Sequence, residues 1–277
     1  MQDAFAYCAE LVRTADRDRY LATLFAPAPH RDALFALYAF AVEIARVREV
    51  AHEALPGEIR LQWWSEVVAR ERSGEAAGNP VAGALLGTLE RYGLPPEKLV
   101  DLIEAHRFDL YDEPMATIAE LETYVAQTSS AVIALAAQIL GTNADTAAEP
   151  AGIACGLTAL MRIFPVHAAR RQLYLPAEIL ERHGVRADGI FAGQSSDGLK
   201  AALAELRDLA RQKLALARDS LATAPDAAVP AFLPVALVRL SLDRFERSDP
   251  FRPGDISPWR RQWLIWRAAR NPARIAR

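Results

Sequence analysis

The constraint that most limits this chain is the period of its apolar residues. In PHRDALFALYAFAVEIARVREV, roughly residues 30–50, Leu34, Leu37, Tyr38, Ala41 and Ala45 fall three and four apart. That spacing stacks them on one side of a helix. The same period runs through LKAALAELRDLARQKLALARDSLAT, residues 199–223, which reads as a long amphipathic helix. No stretch of any length alternates apolar and polar residues as a strand would, and no segment repeats. Half the residues are apolar (52%) and only 14 of 277 are glycine, a composition that favours packed helices.

Punctuation divides the chain. Residues 3–25 are helical in pattern, with a charged break at Asp16-Arg17-Asp18-Arg19, and Pro27 and Pro29 mark a loop. Pro56-Gly57 precedes a helix carrying Trp63 and Trp64, and Gly74–Pro80 is a linker. Asn79-Pro80 is an N-cap followed by proline in the first turn of a helix that ends at Tyr92-Gly93. Pro95-Pro96 opens the next helix, and Thr117 to Glu120 is a capping box for one that runs to Gly141. Residues 142–150 read as a loop. Pro165 breaks the apolar stretch that follows, because it has no N–H to bond back one turn. A short helix near 177–183, a loop at 184–196 and a helix around 235–246 complete the body. The pattern predicts one all-α domain of roughly ten helices over residues 1–257, followed by a distinct segment, 258–277.

Length permits a large core. A net charge of −3 gives no pull toward nucleic acid. Cys8 and Cys155 form no CxxC unit, so no disulfide framework or zinc site is indicated. The N-terminus has early acids and no apolar core, unlike a secretory signal. No window reaches the ~18 apolar residues of a membrane span. The expectation is a cytoplasmic protein, soluble or peripheral on an inner membrane, on the matrix side in a eukaryote.

The stretch GIACGLTALMRIFPVHAARRQLYLP, residues 152–176, resembles the second signature of the squalene/phytoene synthase family. DRYLATLFAPAPHRDALFALYAF resembles that family's first helical pair. Asp109-Leu110 and Tyr124, followed by Ser129 and Ser130 in place of Ala-Gly, match further segments in order, over about residues 18–180. The resemblance implies an isoprenoid-synthase-type helical bundle around a central cavity. It also implies two acidic motifs, which this chain does not carry. The acids of the first would fall on Ala45, Arg46 and Glu49, and only Glu49 is acidic. The two Asp of the second would fall on Ile163 and His167, and Arg171-Gln172 stand where Gly-Arg is usual.

The chemistry makes the mismatch consequential. Ionising an allylic diphosphate needs magnesium to neutralise the leaving group, held by carboxylates from facing helices. Isoleucine removes a ligand, and histidine offers a nitrogen that magnesium disfavours. Arg46 is expected to put a positive charge where the metal belongs. Glu104, Asp109, Asp112 and Glu113 read as one helix with a charged outer face. No catalytic residue, metal or other cofactor is therefore expected, with Mg²⁺ required only under an alternative: a head-to-head prenyl transferase with atypical ligands. Tyr38, Arg162, His167, Arg171 and Tyr174 are the candidate ligand-binding residues. Tyr38, Ala45, Ile163 and His167 are expected to line a cavity for an isoprenoid or lipid, unless they simply pack the core.

Arg60-Leu61-Gln62-Trp63-Trp64, Thr128-Ser129-Ser130 and Pro165-Val166-His167-Ala168-Ala169-Arg170-Arg171 are similar to a degenerate branch of the family, complex I assembly factor 6 and its bacterial relatives. That resemblance implies a role in building the membrane arm of respiratory complex I, with a membrane-arm subunit as partner. The tail PWRRQWLIWRAARNPARIAR has six Arg and no acid. Trp259, Trp263 and Trp266 recur at i, i+4, i+7, flanked by Arg260, Arg261 and Arg267. Such a helix either lies in a membrane interface or docks its tryptophans on the protein's own core.

Overall fold

A computed structural model describes residues 2–276 apart from His52 and Ala77. Among the described residues there is no strand, and 18 α-helical segments follow one another with short 3₁₀ turns between them. The count exceeds the expected ten because several predicted helices are cut into pieces and because short helices form at Ser73–Ala76, Ala187–Phe191 and Val229–Phe232, within expected connections. Residues 3–25 become Gln2–Ala15 and Arg17–Thr23, broken where the Asp16 carboxylate accepts the Arg19 N–H and restarts the chain as an N-cap. The stretch around Pro165 becomes Asp145–Arg162 and Phe164–Ala169, hinged at Ile163. Asp145–Arg162 also begins earlier than expected and takes Pro150 inside it.

The centre of the bundle is the helix Ala28–Ala45. Every residue from Ala33 to Val42 is buried, so it is apolar all round, as a fully enclosed helix must be. It is surrounded by Gln2–Ala15, Pro80–Tyr92 and Ala131–Ile139. On the other side of the molecule the 25-residue helix Asp197–Leu221 lies along Asp145–Arg162. It buries Leu199, Ala202, Leu203, Leu206, Ala210, Leu214 and Ala217, one stripe at spacings of three and four.

Local signals act where the residues suggest. The Asn79 side chain accepts from Val81 and Ala82 N–H, and Gly93 closes that helix in the left-handed region at φ 59°. Thr117 accepts the Glu120 N–H, and the Glu120 carboxylate reaches back to the Ala116 N–H at 2.7 Å. The helix expected to run unbroken to Gly141 instead widens into one π turn at Ala126–Ser130. Opposite that turn stand Gly152 and Gly156, one turn apart. A Cβ on Gly152 would drive into the Ser130 backbone, and one on Gly156 would sit 2.9 Å from both Ser129 Oγ and Val125 Cβ. The missing side chains let the Asp145–Arg162 helix press against the π turn. That contact brings Ser129 and Gly156 to the wall of one cavity.

The helix Pro258–Arg270 closes the chain. It buries Ile265 and Ala268 and packs on the turn Leu233–Leu237.

Candidate ligand cavity

The cavity lies between the Ala28–Ala45 and Asp145–Arg162 helices, the π turn and the Leu233–Leu237 turn, and holds about 270 Å³. Its polar floor is built on Asp109. The helix that begins at Pro96 stops at Ala105, and a 3₁₀ turn at Phe108–Leu110 folds Asp109 inward, leaving it 6% exposed. His106 Nδ1 lies 2.6 Å from Asp109 Oδ2 and donates to it. Tyr174 Oη donates to Oδ1 at 2.7 Å, and Tyr124 Oη does so at 2.9 Å. Gln172 Nε2 holds the Asp109 carbonyl at 3.0 Å. Burial, then the adjacent Asp109 charge, raise both phenols well above their ordinary value, so they remain donors. The outer-face expectation for Asp109 is therefore corrected. Asp109 and Glu113 also share no helix, because the helix ends before either.

A second polar group also lines the cavity. Asp16 pairs with Arg19 at 3.2 Å, and Arg19 in turn lies 5.4 Å over the ring of Tyr38. Asp18 receives Arg162 at 3.5 Å and Arg261 from the last helix. Arg261 also meets Asp255 at 2.8 Å. In the sequence Asp16–Arg19 reads only as a charged break. The available signal is an acid-x-acid pair, two positions apart, at a helix restart, and nothing local tells which way such a pair faces.

The comparisons with known proteins agree with this architecture. The sequence profile described as Squalene/phytoene synthase matches residues 12–267. The chain belongs to the squalene/phytoene synthase family. It is 32% identical over 246 residues to the human "NADH dehydrogenase (ubiquinone) complex I, assembly factor 6", covering 88% of this chain and 74% of that protein. It is 26% identical over 280 residues to the 15-cis-phytoene synthase of Synechococcus elongatus, covering 94% and 91%. The crystal structure of a dehydrosqualene synthase in complex with ligand superposes with a TM-score of 0.82 at 19% identity, over 96% of this chain and 95% of that one.

On this family fold the positions where the resemblance would put the two acidic motifs can be located. Ala45, Ile163 and His167 line the cavity, as do Arg162 and Tyr174. Arg46 does not, which corrects the expectation of a positive charge inside. It pairs at 3.3 Å with Glu49, which also takes Arg170 at 2.9 Å, in an exposed cluster. Burial works against the Glu49 carboxylate, but Arg170 and Arg46 outweigh it and hold its pKa below the usual range. Tyr38 is buried and absent from the lining, so it packs the core beneath Arg19. Arg171 also lies away from the cavity. It adopts φ 58° and stacks 4.6 Å over Phe191.

His167 lies with its ring 4.5 Å from that of Tyr174. Burial lowers its pKa to about 4, against the pull of Asp109, so the imidazole is neutral at physiological pH. Magnesium does not fit this donor set. Among the described residues no three of His, Cys, Asp and Glu converge on one point, and the acids that do line the cavity already hold cations or phenols. The remaining acids lie elsewhere: Glu104 on Arg107, Asp112 on Arg48 and Glu43 on Arg60.

The tail helix divides its predicted face. Trp259, Trp263 and Trp266 are 83%, 49% and 46% exposed, so they do not dock on the core. Arg267 lies 4.6 Å over Trp263 and Arg270 lies 5.3 Å over Trp266. Arg260 is exposed, whereas Arg261 is buried in its ion pairs and is removed from the outward set. Among the described residues no helix is long and apolar enough to cross a membrane.

Proposed function

We propose that this chain is a non-catalytic member of its family that acts at a membrane surface in the assembly of respiratory complex I. The observation that carries this reading is that Ala45, Arg46, Ile163 and His167 stand where the family resemblance would put acids. The acids that do reach the cavity, Asp16, Asp18 and Asp109, are each engaged by the protein's own cations or phenols. A diphosphate leaving group would find no metal cage to neutralise it. Likeness to proteins named as complex I assembly factor 6 supports the assembly role, and the partner proposed for it is a membrane-arm subunit. The outward tryptophans and their arginines support attachment to the face of an anionic membrane, on the cytoplasmic or matrix side.

Two measurements test this. Purified protein incubated with farnesyl or geranylgeranyl diphosphate and Mg²⁺ yields no condensation product, and deletion of its gene depletes the assembled membrane arm on native gels. Chelator-sensitive product formation would establish the alternative, a head-to-head prenyl transferase. The phytoene synthase likeness keeps that alternative in play.

A further inference from the structure

We propose that the cavity binds an uncharged, largely apolar molecule bearing a carbonyl or hydroxyl group, and that His167 receives that group. This rests on the reading that the cavity persists without a metal cluster.

The lining carries a closed set of charges. Asp16 faces Arg19, Asp18 faces Arg162 and Arg261, and Asp109 faces His106, Tyr124 and Tyr174. An anionic head would have to pull Arg19 or Arg162 from an existing partner while facing three carboxylates, so charge selects against it. The hydroxyls are mostly engaged as well. Thr128 donates to the Tyr124 carbonyl at 2.8 Å, Thr158 to that of Ala154 at 2.7 Å, and Ser241 to that of Leu237 at 2.9 Å. Much of what they leave facing the cavity is aliphatic, including Ala41, Val125, Leu160, Ile163 and Val238.

Against that background His167 stands out. Its ring has no hydrogen bond to another described residue, yet it lines the cavity and is packed against Tyr174. A neutral imidazole presents one N–H and one lone pair. It can therefore donate to a carbonyl or accept from a hydroxyl, and either contact gains from the low dielectric around it. The Ser129 hydroxyl, against Gly156, and the Cys155 thiol are further lining groups without a hydrogen bond among the described residues, and Ser129 offers a second contact. A few placed polar groups in an apolar wall are what orients a small molecule in a pocket.

The test uses the full chain and three probes: farnesol, a short-chain prenyl benzoquinone, and farnesyl diphosphate with and without Mg²⁺. Binding is followed by calorimetry and native mass spectrometry, and product formation is assayed in parallel. Farnesol or the quinone is expected to bind at least about tenfold more tightly than the diphosphate, with no effect of Mg²⁺. His167→Phe keeps the ring contact but has no hydrogen bond to offer, and is expected to weaken the neutral probe by about tenfold, a change of about 1.4 kcal/mol. His167→Gln is expected to restore part of it, and thermal unfolding verifies that each variant is folded. Failure of both neutral probes to bind, or unchanged affinity in His167→Phe, would overturn the proposal. Tighter diphosphate binding without metal or product overturns this proposal alone, whereas Mg²⁺-dependent binding with product overturns the non-catalytic reading as well.

Discussion

Removing the Asp109 carboxylate should be the most damaging single change near the cavity. In Asp109→Ala, the Tyr124 and Tyr174 hydroxyls and His106 Nδ1 lose a shared acceptor together. A buried donor left without a partner costs about 1–3 kcal/mol. The two phenols border a cavity that water can enter, which lowers their share. The three losses together should therefore come to about 3–5 kcal/mol, as for breaking a buried charged pair. In a chain of this size about 1 kcal/mol moves the midpoint by about 2–4 °C, so the expected drop in Tm is on the order of 10 °C. Asp109→Asn keeps an acceptor oxygen and should lose less than half of that. Differential scanning fluorimetry reads both variants, and Tyr174→Phe is then placed in the wild-type and Asp109→Ala backgrounds. The phenylalanine change should matter in the first and be nearly silent in the second, because the interaction it removes is already gone. A drop of less than about 2 °C in Asp109→Ala, or full additivity of the pair, would refute the view that this carboxylate holds the floor together.

Three further outcomes follow from the same geometry. Gly152→Ala should cost about 1–3 kcal/mol by overpacking against the Ser130 backbone, whereas Gly87→Ala, with open space around its Cβ, should be neutral or slightly stabilising; equal midpoints in urea would refute the close-packing argument. His167 has a folded pKa of about 4 against 6.5 for the free side chain, so between those pH values the unfolded chain binds a proton that the folded one does not. Stability should then fall as pH drops through that window, by at most about 1 kcal/mol per pH unit, and His167→Gln should flatten the slope of Tm against pH; an unchanged slope would exclude His167 as its source. Replacing Trp259, Trp263 and Trp266 with Ser should reduce co-sedimentation with anionic vesicles with little change in Tm, since all three are exposed; undiminished sedimentation would remove the tail from the membrane contact.

The family fold was legible in the chain because its signals are local. Apolar spacing in residues 30–50 and 199–223, the Asn79-Pro80 start, the Gly93 stop and the Pro165 break each act through neighbours within about one turn. Helix count was less legible. The Asp16 restart is a local N-cap hidden in a run of four charges, and the π turn at Ala126–Ser130 packs against Gly152 and Gly156, a pair that periodicity alone does not flag.

The chain by itself also determined which residues stand at positions 45, 46, 49, 163 and 167, since identity needs no coordinates. Only the folded structure decided what faces the cavity. Asp109 meets Tyr174 across 65 residues and Asp18 meets Arg261 across 243, so neither polar group is written in any local window. For the same reason Arg46 and Arg171, both basic and both near a motif, turn outward while Arg162 turns in. A helix period assigns a residue to a side; the partner that makes the side an interior comes from elsewhere in the chain.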